Sequence, residues 1–138
     1  MPSVLYLEDT ESMQAMYGFA LTQEGFDLTI ASNADEALTH LEDHQFDIIL
    51  VDMMLFGKSG IDFLEEANLA ETNPQAKVIV LSNFDSPHII ERAEAFPITA
   101  YLIKADYEPR QLALYLKQVL ADNNSSNNPP EAAQQIKN

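Results

Sequence analysis

The sequence predicts an α/β fold: a parallel sheet of five strands connected through five helices. Two observations carry this. Short apolar runs alternate with helix-period stretches from one end of the chain to the other, the signature of repeated βα units. The runs at residues 4–7, 28–31, 48–51, 78–81 and 100–103 are also rich in Val, Ile and Leu and do not alternate with polar residues, as expected of strands buried on both faces. The run at 28–31 is the weakest of the five.

The helices between them carry explicit signals. Met13, Met16, Tyr17, Ala20 and Leu21 fall on one apolar stripe, and Gly25 supplies the stop. Asn33 followed by Glu36 reads as a capping box ahead of Ala37, Leu38 and Leu41. Ile61, Leu64 and Leu69 mark a third helix after Gly60, ended by Asn73 and Pro74. Ser86 and Pro87 place a cap and a first-turn proline before Ile89, Ile90 and Ala93, so the fourth helix runs to about residue 96. The fifth opens at Glu108 and Pro109 and repeats the stripe at Leu112, Tyr115, Leu116, Val119 and Leu120. Residues 1–121 therefore form one domain. Residues 122–138 turn polar, with Asn, Ser and Pro and no periodic apolar pattern, and are expected to be a flexible tail.

Composition narrows the function. The chain has 138 residues, 22 Asp plus Glu against 7 Lys plus Arg, a net charge of -15 and no cysteine. Such a surface repels a polyanion or an acidic leaflet, so direct nucleic-acid or membrane binding is not expected. Disulfides, thiolate metal sites and cysteine nucleophiles are excluded. No apolar run approaches the roughly 20 residues of a membrane span, and the start lacks the basic segment of a signal peptide. A cytoplasmic protein is the expectation. Residues 1–57 hold 11 acidic side chains and no Lys or Arg, the first cation being Lys58.

In a parallel sheet of this kind, functional groups gather at the carboxyl ends of the strands. There the chain places Glu8 and Asp9, Asp52, Ser82 and Lys104. Taken singly, each reads equally well as a turn residue, a cap or a surface lysine. Together, three converging carboxylates repel one another unless a cation neutralises them. Hard oxygen ligands suit Mg²⁺, which binds through one or two carboxylates and completes its shell with water and phosphoryl oxygen. A carboxylate can also act as a nucleophile toward phosphorus, with Lys104 and Ser82 as cation and donor to the phosphoryl group.

The run Val4-Leu5-Tyr6-Leu7-Glu8-Asp9, Asp52 with Gly60 eight residues later, the run ending Leu81-Ser82, and Ala100-Tyr101-Leu102-Ile103-Lys104 together resemble the receiver domain of two-component response regulators. The resemblance covers residues 3–121. It implies a flavodoxin-like, doubly wound sheet of strand order 2-1-3-4-5. It further implies that Asp52 is the phosphoacceptor and that Mg²⁺, or Mn²⁺ in its place, is held by Asp9 and Asp52 directly, Glu8 through water, and the backbone carbonyl of Met54. Ser82 and Lys104 would grip the phosphoryl oxygens. Tyr101 matches the aromatic switch residue: Ser82 would move toward the phosphoryl group and let Tyr101 turn inward, biasing the face made by the fourth helix, fifth strand and fifth helix. The implied partners are a sensor histidine kinase or histidine phosphotransfer protein, and a downstream protein target on that face, which also leaves a homodimer open. With 18 residues after Leu120, a stand-alone regulator is expected, with no turnover of a separate substrate.

Several positions depart from the family pattern. Phe56 and Ala105 replace prolines. A cis bond to Ala105 would cost about 2.5–4 kcal/mol, so a trans bond is expected there, leaving the reach of Lys104 open. Met54, Asn83 and Phe84 are expected to hinder attacking water and lengthen the life of an aspartyl phosphate. Two other readings stand beside the receiver. One is a pseudo-receiver that acts as an interaction module without phosphorylation. The other is a haloacid-dehalogenase-type phosphatase, which would need an acid at position 54, where this chain has Met. His40 and His44, at i and i+4, read as exposed helix residues before they read as metal ligands.

Overall fold

A computed structural model describes residues 1–53 and 59–122; Met54, Phe56, Lys58 and the expected tail from residue 123 lie outside the described residues. The strands are β1 (Ser3–Leu7), β2 (Asp27–Ala31), β3 (Ile48–Asp52), β4 (Lys77–Ser82) and β5 (Ala100–Ile103). They form one parallel sheet of order β2-β1-β3-β4-β5. The helices are α1 (Glu11–Gln23), α2 (Ala34–Asp43), α3 (Gly60–Ala67), α4 (Leu69–Thr72), α5 (Pro87–Glu94) and α6 (Pro109–Ala121), with a 3₁₀ turn at Lys104–Asp106. The expected fourth and fifth helices are thus α5 and α6.

The sixth helix arises because the expected third one breaks. Asn68 adopts a left-handed conformation, φ 46° and ψ 56°, which Asn tolerates better than most residues. A single helical turn follows, and the buried amide of Asn73 then accepts from the Phe46 N–H and donates to the His44 and Thr72 carbonyls. Ser59 caps α3 reciprocally with Asp62. At α2, Asn33 accepts from the Glu36 N–H, but Glu36 reaches back to the Ser32 N–H and not to that of Asn33. At the end of α1, Gly25 has φ 92°. The Gly25 and Phe26 N–H groups bond to the Thr22 and Leu21 carbonyls, closing a Schellman motif with Phe26 buried.

Strand alternation divides the core into two layers. Val4, Tyr6, Ile48, Leu50, Ile79, Leu81, Ala100 and Leu102 pack with α1 and α6. Leu5, Leu7, Ile49, Val51, Val78, Val80 and Tyr101 pack on the other side with α2, α3 and α5. The strand β2 differs from expectation: it lies at the sheet edge, and of its residues only Ala31 is buried. The α1 stripe is also narrower than its spacing suggests, for Met16 is 49% exposed while Tyr17, Ala20 and Leu21 are buried.

Candidate functional site

Because the strands are parallel, their carboxyl ends share one edge, and period two decides which face each end residue takes. Asp52 ends β3 with the parity of Leu50, on the α1/α6 side, and Glu8 and Lys104, directly after β1 and β5, meet there through the Tyr6–Glu8 and Lys104–Asp52 bonds. Ser82 continues that of Val78 and Val80, on the opposite side with Tyr101. The edge therefore gathers an ionic cluster on one face and a hydroxyl–aromatic pair on the other.

Glu8, Asp52, Ser82 and Lys104 are all buried. The Lys104 Nζ lies 3.0 Å from Glu8 Oε1 and 3.2 Å from Asp52 Oδ2, so the reach left open by Ala105 is sufficient. No peptide bond among the described residues is cis. Burial opposes the Lys104 charge, but the Asp52 and Glu8 carboxylates outweigh it and hold its pKa above the ordinary lysine value.

Carboxylate oxygens of Glu8, Asp9 and Asp52 all lie within 4.8 Å of one another. Three carboxylates against the Lys104 ammonium leave an excess of negative charge in a largely buried pocket. Clustered hard oxygens with surplus charge fit Mg²⁺ or Mn²⁺. The other ligand expected there, the Met54 carbonyl, lies outside the described residues.

Three contributors to this site escape the sequence reading. Tyr6 donates from its hydroxyl to Glu8 Oε1 at 3.2 Å, and the Thr10 N–H donates to Glu8 Oε2 at 3.2 Å. Gln14 donates to the Glu8 carbonyl at 2.6 Å and to Ser32 Oγ at 3.1 Å, tying the β1 exit to the β2 exit. The signal for Tyr6 was its placement two residues before Glu8 in a strand, which puts both on one face. Thr10 occupies the N-cap position of α1, but its side chain makes no cap bond and reaches Asp9 instead.

On the other face, the Ser82 Oγ accepts from the Phe84 N–H at 3.0 Å, and the Tyr101 hydroxyl donates to the Phe84 carbonyl at 2.8 Å. Tyr101 is 1% exposed, so its ring is already turned inward in this structure, where the sequence reading expected inward rotation to follow phosphorylation. Phe84 packs against the core, while Asn83 is exposed. His44 is exposed and its ring stands 6.5 Å from that of His40. Neither belongs to a group of three metal-ligating residues among the described ones.

Comparison with known proteins identifies the family and the fold. The family model for the response regulator receiver domain matches residues 4–117. The sensory transduction protein RegX3 of Mycolicibacterium smegmatis is 34% identical over 131 residues, covering 91% of this chain and 55% of that protein. The transcriptional regulatory protein MalR of Bacillus subtilis is 35% identical over 117 residues, covering 83% of this chain and 49% of that protein. The chain thus spans about half the length of the curated relatives it matches. Among solved structures, a CheY-like receiver domain protein from Methanospirillum hungatei superposes with a TM-score of 0.80 at 25% identity, covering 90% of this chain and 97% of that one. The chemotaxis protein CheY4 of Vibrio cholerae gives 0.78 at 24% identity, covering 86% and 98%.

Proposed function

From the premise that this chain belongs to the response regulator receiver domain family, a family of signalling modules, we propose that Asp52 accepts a phosphoryl group and that the domain signals through protein contacts. The observation that carries this reading is the Lys104 ammonium within 3.2 Å of Asp52 and 3.0 Å of Glu8, beside the carboxylate cluster with Asp9. Lys104 holds the Asp52 oxygen in place before reaction and is positioned to neutralise a phosphoryl oxygen after it. Burial keeps that attraction from being screened by water.

The donor is a phosphohistidine on a sensor kinase or phosphotransfer protein. An Asp52 carboxylate oxygen attacks phosphorus, the phosphorus–nitrogen bond breaks, and its electron pair returns to the imidazole, which takes up a proton. Asp9, Asp52 and, through water, Glu8 would hold Mg²⁺, with Met54 contributing its carbonyl. When bound, the ion offsets charge on the phosphoryl oxygens. Ser82 donates to one of those oxygens, and a shift of its Oγ toward them would lengthen the bond it now accepts from the Phe84 N–H. That shift couples Asp52 to Tyr101 and to the face of α5, β5 and α6, where a downstream protein binds. Loss of the phosphoryl group to water returns the domain to rest without turnover of a separate substrate.

No helix among the described residues is long and apolar enough to cross a membrane. We place the domain in the cytoplasm, where phosphohistidine donors act, and the charge of -15 argues against direct contact with nucleic acid.

The test is incubation with acetyl phosphate and Mg²⁺, beside Asp52→Asn. One hydroxylamine-labile phosphoryl group on the wild type and none on the variant is the expected result. An unmodified wild type would favour an interaction module that needs no phosphate, and equal labelling of the variant would move the acceptor elsewhere.

A further inference from the structure

We propose that Tyr6 is a positioning residue for the divalent-cation site: its buried hydroxyl fixes the Glu8 carboxylate and thereby sets how tightly the pocket holds the ion. The inference rests on the reading of Glu8, Asp9 and Asp52 as the cation ligands.

Tyr6 lies in the middle of a strand paired on both sides and is fully buried. A phenol there is costly unless its hydroxyl is bonded, and packing alone would be served by an apolar side chain. The hydroxyl instead donates to Glu8 Oε1 at 3.2 Å, the same oxygen that receives Lys104 Nζ at 3.0 Å. Glu8 Oε2 receives the Thr10 N–H. Donors from the strand interior, the following loop and the β5 exit therefore define one carboxylate orientation.

The Tyr6 ring is itself held. It meets Tyr17 edge-on, with centroids 6.4 Å apart and planes at 75°. The Tyr17 hydroxyl donates to the Tyr107 carbonyl at 3.2 Å, and the Tyr107 N–H donates to the Lys104 carbonyl at 3.2 Å. The contacts close a circuit through Glu8, Tyr6, Tyr17, Tyr107 and Lys104, so both ends of the Glu8–Lys104 ion pair are fixed from the same core layer. Hydrogen bonds to a ligand from behind set its orientation and commonly matter to metal affinity almost as much as the ligand does.

Mn²⁺ serves as the probe, its free concentration read by electron paramagnetic resonance in titrations of the full chain without any phosphoryl donor. Tyr6→Phe, which removes one oxygen and keeps the ring, is expected to weaken Mn²⁺ binding about tenfold. Tyr115→Phe removes a buried hydroxyl that has no hydrogen-bond partner and is expected to leave binding unchanged. In a Glu8→Gln background the Tyr6→Phe change is expected to cost nothing further, because Tyr6 acts through Glu8. Wild-type affinity in folded Tyr6→Phe, or an equal further loss in the Glu8→Gln background, overturns the proposal alone. Absence of Mn²⁺ binding by the wild type overturns the cation reading and this inference with it. Tyr6→Leu, which removes ring and hydroxyl together, is the second variant: loss of cooperative unfolding in both would show that the hydroxyl holds the fold and not the orientation of one ligand, and would also overturn it.

Discussion

The Tyr101 hydroxyl donates to the carbonyl of Phe84 at 2.8 Å, while the N–H of that same Phe84 donates to Ser82 Oγ at 3.0 Å. One residue's peptide groups thus join the proposed phosphoryl-sensing hydroxyl to the buried aromatic ring. A shift of Ser82 Oγ toward Asp52 would lengthen its bond to the Phe84 N–H, and Tyr101 is bonded to that same residue. Tyr101→Phe keeps the packing and loses a hydrogen bond worth about 1 kcal/mol. Amide hydrogen exchange at Phe84 is expected to rise in this variant and in Ser82→Ala, with β4 unchanged. Wild-type exchange at Phe84 in both would disconnect the two residues.

Lys104 stands between two buried carboxylates. Removing one partner of a buried ion pair leaves uncompensated charge and typically costs about 3–5 kcal/mol. Lys104→Met is therefore expected to be destabilised by about 3 kcal/mol in chelator, measured by urea unfolding. Mg²⁺ should recover part of this loss, and should stabilise the variant more than the wild type, because binding to the folded state alone shifts unfolding by mass action. Equal stabilisation of both proteins by Mg²⁺ would show that Lys104 and the cation do not answer the same charge.

The division between what the sequence disclosed and what it withheld follows the range of the interactions. Five apolar runs and their end residues located the strands and the edge bearing Glu8, Asp9, Asp52, Ser82 and Lys104, since parallel strands need only direction to bring their ends together. Asn68 was not legible as a break, for a left-handed Asn depends on how α3 meets the turn that follows. The exposure of Met16 depends on how α1 lies against α6, which an apolar stripe does not specify. The apolar pattern places Tyr6 in a strand because it marks burial and is silent about what a buried hydroxyl bonds.

All five tyrosines, Tyr6, Tyr17, Tyr101, Tyr107 and Tyr115, have pKa values raised above the ordinary phenol value, in each case chiefly by burial. The folded state therefore holds these protons after the unfolded chain releases them. Stability is full below the unfolded phenol pKa of about 10 and falls as pH rises past it toward the folded values. The raised Lys104 pKa acts in the same direction. Tyrosinate absorbance is expected to appear together with loss of helical circular dichroism in an alkaline titration, and a gradual rise near pH 10 with the fold intact would contradict this. The Tyr107 and Tyr115 hydroxyls are buried without a hydrogen-bond partner, so Tyr115→Phe removes an unpaired polar group and is expected to be neutral or stabilising in urea.

Gly60 owes its identity to close approach, not to an unusual dihedral angle. Its N–H donates to the Met53 carbonyl at 3.2 Å. A Cβ placed on it would stand 2.7 Å from the Asp52 carbonyl oxygen and 2.9 Å from Met53 Cα. Both neighbours are backbone and can yield only by shifting the segment that carries the proposed phosphoacceptor. Gly60→Ala is therefore expected to destabilise the fold by about 1–3 kcal/mol and to slow labelling of Asp52 by acetyl phosphate. Gly18, in α1, is the control. A Cβ there meets the side-chain ends of Leu28 at 3.2 Å and Ile30 at 3.4 Å, which can move, and Ala gains up to about 1 kcal/mol of helix propensity. Gly18→Ala should match or exceed wild-type stability and label at the wild-type rate. Equal behaviour of the two variants in urea unfolding and in labelling rate would show that the contact behind Asp52 is not what Gly60 supplies.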